Sequence, residues 1–383
     1  MVKNLDPLDV QSAELQLKNW KLVATVRQLL VRQLERQPTL SGSKPNRRLA
    51  AADYFSLILF GLFNPVVRTM RGLTRASQLP RVREEVCGLS VSLGSFSEAQ
   101  HVFEPQVLQR VLQQVAGKAA ATFGQDEPLA RALPALLAHD STLIKALPRM
   151  AWAVWMDKEN PGIRIHVDFE VFRQIPEDVA IEPAGLCERK VWKPRLQANR
   201  FYVGDRYFGH DYNLMRLIGR RGSWFVFRLQ TNTYIEALPG TDRQLSQADR
   251  AAGVVSDRLV RVGKRNPQTY RLVQVRVQGL ALELMTNRLD FSAELIALVY
   301  RYRWQVELYF KWLKCILGCE HWLAESPSGV AIQVYAALIA SVLLALWTGK
   351  RPTKRAMEAL QLYQLGWASE QDLERLLRLE KIA

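Results

Sequence analysis

One segment of the chain, LIALVYRYRWQVELYFKWLKCILG, places an acid among bases at helical spacing. Tyr300, Arg303, Glu307 and Lys314 would all lie within about a sixth of the circumference of a continuous α-helix. We predict such a helix from near Phe291 to about residue 318, with the acid at the margin of an apolar stripe. The alternative is an ordinary solvated face whose ion pairs stabilise the helix. Two further acids decide between these interpretations.

Each of these two acids follows an apolar run. Asp140 stands in LLAHDST and Asp205 in FYVGDRYF, and we predict that each ends a buried strand. Aspartate is unfavourable within a strand, and open α/β sheets place their sites at strand ends. The alternative is an aspartate that caps a turn or a helix, which would suit Asp140 because Ser141 and Thr142 follow it.

Two strand-end aspartates and a helical glutamate offer the hard oxygen ligands that divalent cations prefer. Mg²⁺ takes few carboxylates and keeps its other positions for water and phosphate oxygens. Two such ions about 4 Å apart can promote an in-line phosphodiester displacement. We therefore predict that Asp140, Asp205 and Glu307 bind two Mg²⁺ ions, for which Mn²⁺ would substitute.

The four residues of the helical segment form the pattern Y-x2-R-x3-E-x6-K. This pattern resembles the signature of a large group of bacterial insertion-sequence transposases that have an Asp-Asp-Glu catalytic triad. The sequences DST, DRY, FRLQTN and LMTN agree with it, and the resemblance covers about residues 135 to 345. It implies an α/β fold with a ribonuclease H-like core and a β-strand insertion between the second and third acids. It also implies that Asp140, Asp205 and Glu307 are catalytic.

The resemblance also implies which residues bind DNA. In the family, the tyrosine, arginine and lysine of the signature hold the transposon end near the cleaved phosphate, which gives these roles to Tyr300, Arg303 and Lys314. Arg206, directly after Asp205, is a further candidate. Arginine offers phosphate a bidentate fork, lysine a point charge, and tyrosine a stacking surface with a hydroxyl group.

The composition agrees with a polyanionic partner. The 383 residues include 52 lysines and arginines against 37 aspartates and glutamates, a net charge of +15. This excess is typical of proteins that bind nucleic acid or an anionic membrane, and the composition excludes collagen-like and wholly disordered chains. Residues 257–276 carry a net +5, with bases that include Lys264, Arg265 and Arg271, and could follow a DNA backbone.

The periodicity of the chain changes along its length. An all-helical N-terminal domain is followed by strand-like runs, and 102 residues separate Asp205 from Glu307, which leaves room for three strands between them. We predict five parts: a helical DNA-end-binding domain (1–125), the first part of the catalytic core (126–232), the β insertion (233–290), the rest of the core (291–350) and a C-terminal helical tail that could contact a second protomer (351–383).

An apolar stretch from Ala331 to Thr348 is the one candidate membrane span. We interpret it as a buried core helix because it contains Gln333, Tyr335 and Ser341, and the alternative is a membrane protein. The N-terminus has no signal-peptide core, and four irregularly spaced cysteines do not form a disulfide framework. We therefore expect a bacterial cytoplasmic, nucleoid-associated protein with no membrane partner.

These observations lead to a hypothesis and an alternative. The hypothesis is a transposase that binds the terminal inverted repeats of its element, cleaves them by two-metal hydrolysis and joins the 3′ ends to target DNA. Its partners would be double-stranded DNA and a second protomer, because two ends must be held together. The alternative is a catalytically silent DNA-binding repressor or architectural protein of the same element. Three retained acids argue against it, because carboxylates repel phosphate unless a cation intervenes.

Overall fold

The computed structural model describes residues 21–36, 48–122, 129–130, 133, 135–147, 149–153, 162–230, 233–263, 267–317, 322–348 and 353–379. These residues group into two compact units. The helical unit comprises Met1–Phe123, Ile144–Gly162 and Phe310–Ala383, and the sheet unit comprises Gly124–Leu143 and Ile163–Tyr309.

Helices account for every regular element in the described part of the first 122 residues. In chain order, the α-helices of the described residues are α1 (Lys21–Arg36), α2 (Ala51–Phe63), α3 (Met70–Ala76), α4 (Pro80–Val82), α5 (Leu93–Ala99), α6 (Gln106–Thr122), α7 (Glu188–Trp192), α8 (Tyr212–Arg220), α9 (Gln247–Ala251), α10 (Ala293–Tyr302), α11 (Trp304–Leu317), α12 (Pro327–Thr348), α13 (Lys354–Gln364) and α14 (Glu370–Leu379).

The apolar helix α12 is the centre of the helical unit. Its stretch Pro327–Leu346 is long and apolar enough to cross a membrane, yet 94% of the most apolar part of this stretch is buried within the protein. It packs against α2, which is buried on nearly all sides, and against α6. Contact with these helices therefore accounts for its apolar composition, as we expect of a core helix.

Nine strands form one sheet in the order β3-β2-β1-β4-β5-β9-β8-β7-β6. They are β1 (Leu136–Lys145), β2 (Gly162–Glu170), β3 (Ile175–Pro183), β4 (Phe201–Gly204), β5 (Trp224–Arg228), β6 (Ile235–Ala237), β7 (Val254–Val262), β8 (Gln268–Val277) and β9 (Leu280–Thr286). Strands β1, β4 and β5 are parallel neighbours, whereas β2 with β3 and all the pairs from β5 to β6 are antiparallel.

The order of the strands reverses direction between β1 and β4. After β1 the chain adds β2 and β3 on one side, and it then returns to add β4 and β5 on the other side. Open sheets with parallel strands place their ligands in the crevice that such a reversal leaves at the carboxyl ends of the strands. All four residues of β4 are buried, so this part of the sheet supports the crevice from within the core.

The four strands β6–β9 fall within the predicted insertion and extend the same sheet. At their centre Arg271 and Asp257 form a buried ion pair, with Nε to Oδ1 at 2.8 Å and Nη2 to Oδ2 at 2.6 Å. The side chain of Arg271 is only 1% exposed. Its predicted place on a DNA-binding surface is therefore wrong, while Lys264 and Arg265 of the same prediction lie outside the described residues.

Candidate active site

Asp140 lies in β1, and Asp205 directly follows the neighbouring parallel strand β4. The register of β1 and β4 matches Ala138 with Val203, and each aspartate follows its matched residue by two positions. Continued strand alternation would turn both side chains to the same face, and the charge of Asp205 contributes to the raised pKa of Asp140, which indicates that the two carboxylates are close. The β1/β4 reversal point therefore carries two adjacent acids.

The prediction that Asp140 ends its strand is wrong. Asp140 is the fifth of ten residues in β1, which continues to Lys145. The partner strand β4 ends at Gly204, so the neighbouring Asp205 does follow the end of its strand. The strand β1 can continue past its last match with β4 because it also has β2 as a neighbour on its other side.

Both aspartates accept hydrogen bonds from the backbone beside them. Asp140 accepts one from the N–H of Ser141 at 2.7 Å, and Asp205 accepts one from the N–H of Tyr207 at 2.8 Å. Burial raises the pKa of Asp140 to about 7, and the charge of Asp205 adds to the effect, while the Ser141 N–H and the Arg303 guanidinium oppose it. Burial and the neighbouring acid therefore disfavour the charged form of Asp140, and the nearby positive charge does not fully offset them.

The predicted continuous helix is wrong, because it divides at Arg303 into α10 and α11. The Arg303 N–H bonds to the Tyr300 carbonyl at 3.1 Å, and the Val306 N–H bonds to the Arg303 carbonyl at 3.3 Å. These are i→i−3 bonds, which tighten the backbone by a local 3₁₀-type turn. The break leaves Tyr300 near the end of one helix and Glu307 in the first turn of the next.

Arg303 connects the residues on either side of this break. Its Nη1 donates to Glu307 Oε1 at 2.6 Å, and its guanidinium carbon lies 5.7 Å from the centroid of the Tyr300 ring. Burial raises the pKa of Tyr300, with Arg303 and Arg228 opposing the rise and Asp205 adding to it. These mutual effects show that Tyr300, Arg303 and Asp205 share one environment.

The structure therefore brings together five of the seven predicted site residues. They are Asp140, Asp205, Tyr300, Arg303 and Glu307, all in the sheet unit. Arg206 is exposed beside Asp205. Lys314 lies further along α11, in the stretch assigned to the helical unit, and its role in binding DNA stays a prediction.

Further polar residues beside Asp140 were not found from the sequence. The Ser141 hydroxyl donates to Glu188 Oε2 at 2.7 Å and accepts from Arg164 Nη1 at 3.1 Å, and Arg164 also forms an ion pair with Glu188. The negative charge of Glu188 contributes to the raised pKa of Asp140. Glu188 follows Ser141 by 47 residues in a different element, so no local spacing could have indicated this contact.

The opposite face of β1 serves packing. His139, next to Asp140, stacks on Trp192 with ring centroids 3.7 Å apart, and its Nδ1 shares a 2.5 Å hydrogen bond with Asp168 Oδ1. Burial lowers the pKa of His139 to about 3 and raises that of Asp168, so burial disfavours the charged form of each group. The strand thus has an aromatic, neutral side and an acidic side.

A close backbone approach fixes the turn that follows Asp205. A Cβ atom at Gly209 would lie 1.9 Å from the carbonyl oxygen of Arg228. No side chain fits within that distance, so only glycine lets this turn lie against the end of β5. The contact holds Asp205 in its place relative to β5.

The carboxylate oxygens at this site are chemically suited to bind a divalent cation, but their arrangement sets a condition on how many of them can bind one ion. Asp140 and Asp205 are oxygen ligands of the kind that Mg²⁺ prefers. Within the described part of the chain, however, no three His, Cys, Asp or Glu side chains converge closely enough to hold a metal ion. A metal ion held by all three acids therefore requires Glu307 to move toward the aspartates, and the bond of its Oε1 with Arg303 is the contact that such a movement would alter.

Comparison with known proteins identifies relatives of this chain. Residues 131–343 match the family described as "Transposase DDE domain". The Sinorhizobium fredii protein named "Putative transposase y4zB" is 26% identical over 54% of this chain and 59% of its own. The Geobacillus stearothermophilus protein named "Probable transposase for insertion sequence element IS5377" is 28% identical over 55% of this chain and 56% of its own.

The chain thus spans less than two thirds of the length of these relatives. Among solved structures, the cryo-EM structure of the piggyBac transposase synaptic complex with hairpin DNA overlays on 98% of this chain and 80% of that one, with a TM-score of 0.42 and 9% identity. The family match covers more than half of the chain and includes Asp140, Asp205 and Glu307. The chain belongs to the DDE transposases of bacterial insertion sequences.

Proposed function

We propose that this chain cleaves and joins DNA at the ends of an insertion sequence, with Asp140, Asp205 and Glu307 as its catalytic carboxylates. The observation that carries the proposal is the placement of Asp140 in β1 and Asp205 directly after β4, each two residues beyond the matched pair Ala138–Val203, beside the Arg303–Glu307 pair. Family membership gives this acidic site its reaction class.

In this proposal β1–β5 are the ribonuclease H-like core, and β6–β9 are the insertion between the second and third acids. The mixed order β3-β2-β1-β4-β5, with its parallel centre, supports the first assignment. The position of β6–β9 between Asp205 and Glu307 in the chain supports the second. The described helices before residue 123 form the DNA-end-binding domain.

Asp140 and Asp205 would hold two Mg²⁺ ions, or Mn²⁺ in their place, and Glu307 would complete the ligand set. When bound, the ions supply Lewis acidity for hydrolysis and strand transfer at a phosphodiester. Asp140 and Asp205 suit this role because, among the described residues, neither forms an ion pair, whereas Arg164 is joined to Glu188 and Arg303 to Glu307.

In this proposal Arg303 has a second role, because it would exchange its partner Glu307 for a phosphate group when DNA binds. A guanidinium binds phosphate and carboxylate with the same bidentate geometry, so a DNA phosphate can replace Glu307 on Arg303. Glu307 would then be released toward the two aspartates only when DNA is in place. Tyr300, Lys314 and Arg206 would hold the same strand near the site, and a second protomer, contacted through residues 351–383, would hold the other end.

The test uses Glu307→Gln in the full chain. We expect metal-dependent nicking of DNA that carries the element ends to be lost, while end binding is retained because Arg303 keeps its charge. Glu294→Gln is the matched control, since it changes an acid in the first turn of α10 that bonds no base of the site. This control should nick normally.

Two results would count against the proposal. Undiminished nicking by the Glu307→Gln protein would show that this acid is not catalytic. Tight, salt-sensitive DNA binding by the unaltered protein, with no nicking in Mg²⁺ or Mn²⁺, would favour the alternative of a DNA-binding repressor.

A further inference from the structure

We propose that the β insertion is a clamp that positions the helix pair bearing Tyr300, Arg303 and Glu307. The inference concerns the connector, residues 287–292, which joins β9 to α10. It rests on the proposed function for its catalytic consequence, but the clamp itself is a property of the protein without DNA.

Arg271 is the central contact of the clamp. Its Nε and Nη2 bond the two carboxylate oxygens of Asp257, while its Nη1 donates to the Phe291 carbonyl at 2.5 Å and to the Arg288 carbonyl at 3.4 Å. The ion pair is almost completely buried, so water does not compete for these bonds. One arginine of β8 thus fixes two carbonyl groups of the connector.

Two other residues of the insertion hold the adjoining backbone. Arg243 Nη1 donates to the Leu289 carbonyl at 2.8 Å. Asp249 Oδ1 accepts from the Glu294 N–H at 2.8 Å, so a side chain of α9 caps the first turn of α10. Backbone groups at four positions between 288 and 294 are therefore bonded by side chains of the insertion.

The core holds the connector from its other side. Asn287 bonds the Phe225 N–H and the Ser223 carbonyl, both at 2.9 Å, at the start of β5. The Phe291 ring stacks on Phe201 of β4 with centroids 5.9 Å apart. The connector is thus held between the insertion and the two strands that support Asp205, and its position sets where α10 begins relative to that acid.

A catalytic consequence follows from this arrangement. Tyr300 lies two residues before the end of α10, Arg303 follows α10 directly, and Glu307 lies in the first turn of α11. Displacement of the start of α10 would therefore move all three residues. Misplacement of reacting groups by about 1 Å can reduce a rate about 100-fold. Arg271, Arg243 and Asp249 are accordingly positioning residues, since none is required to touch DNA or metal.

The decisive variant replaces the buried pair with apolar side chains, Arg271→Met together with Asp257→Leu. Exchange of a buried ion pair for packed apolar residues is often neutral for stability, whereas here it removes both carbonyl bonds to the connector. The matched control is Arg195→Met with Asp178→Leu, a bidentate pair of the same unit at the β3 edge, with bonds of 2.6 and 2.5 Å. A second variant, Arg243→Ala with Asp249→Asn, leaves the buried pair intact.

Three measurements are made on each protein: amide hydrogen exchange of residues 293–302, DNA-end binding, and the single-turnover cleavage rate at saturating DNA. We expect the first variant to exchange faster in α10 and to cleave about 100-fold more slowly, with end binding retained. The second variant should show a smaller loss in the same direction. The control should match the unaltered protein in all three.

Unchanged exchange in α10 of both variants would overturn the clamp. Faster exchange with a normal cleavage rate would overturn its positioning role. If the first variant does not fold, the second decides by the same two criteria. Absence of cleavage by the unaltered protein would contradict the proposed function instead, and hydrogen exchange would still decide whether the insertion holds α10.

Discussion

Two groupings of acids and arginines in the sheet unit differ in how far their charges are matched. Asp257 and Arg271 are buried together, bidentate, and the remaining arginine N–H groups meet backbone carbonyls. At β1 and β4, Asp140 and Asp205 are neighbours of like charge, and the adjacent Arg303 bonds Glu307 instead. An ion pair whose charges compensate one another, such as Asp257–Arg271, indicates a structural contact. Neighbouring acids without a matching base lower the stability of the protein, and a bound cation would offset that cost.

The comparison predicts opposite responses to the same chemical change. Asp257→Asn should lower the free energy of unfolding by about 3–5 kcal/mol, because Arg271 is left as a buried charge without a carboxylate. Urea unfolding of the full chain measures this. Asp257→Leu with Arg271→Met should recover most of the loss, and a single-variant cost below about 1 kcal/mol would refute the contrast.

Asp140→Asn should instead raise the free energy of unfolding, by about 1 kcal/mol in a chelating buffer, because it removes a like charge beside Asp205. On the proposed metal binding, Mg²⁺ should raise the unfolding temperature of the unaltered protein, and Asp140→Asn should lose this stabilisation. Thermal unfolding with and without Mg²⁺ tests both statements. A clear destabilisation in chelator would mean that Asp140 is part of a matched network after all.

The smallest effect concerns Asp249, a buried acid of the insertion that accepts hydrogen bonds from its own helix cap and from α10. Burial raises its pKa, but hydrogen bonds from Ser246 and from the N–H groups of Glu294 and Ala293 outweigh this and lower it. An acid with a lowered pKa in the folded state stabilises above its unfolded pKa of about 3.9 and loses this contribution as pH falls. Asp249→Asn should therefore cost about 1 kcal/mol at pH 7 and less below about pH 4.

Asp372 provides the control for this pH dependence. It forms the same local cap with Ser369 but is fully exposed and lacks a bond to another element of the described chain. Asp372→Asn should change stability less than Asp249→Asn at pH 7. Equal effects would show that the bond from Asp249 to α10 contributes nothing.

Much of the sheet could be predicted from the sequence because its strands are apolar runs. The runs around Asp140 and Asp205 and the alternating valines of β8 all form strands. β3 was missed because Pro176, Glu177, Asp178 and Pro183 make it polar and interrupted. Such a composition is tolerated at a sheet edge, which is where β3 lies, and it carries no apolar pattern to detect.

Other features depended on contacts that are remote in sequence. The break at Arg303 contains no proline or glycine, so the helical periodicity continues through it without a signal. Arg271 was predicted to be exposed because its partner Asp257 lies on another strand, 14 residues earlier. The two aspartates could be identified because an apolar run precedes each of them. Their position relative to one another depends on the register of β1 and β4, which local sequence does not encode.

The close approach at Gly209 has a consequence for related sequences. Every replacement of Gly209 places a side-chain carbon against the Arg228 carbonyl and displaces the turn after Asp205. A related chain that keeps all three acids but has another residue at this position would need a different turn after its second acid.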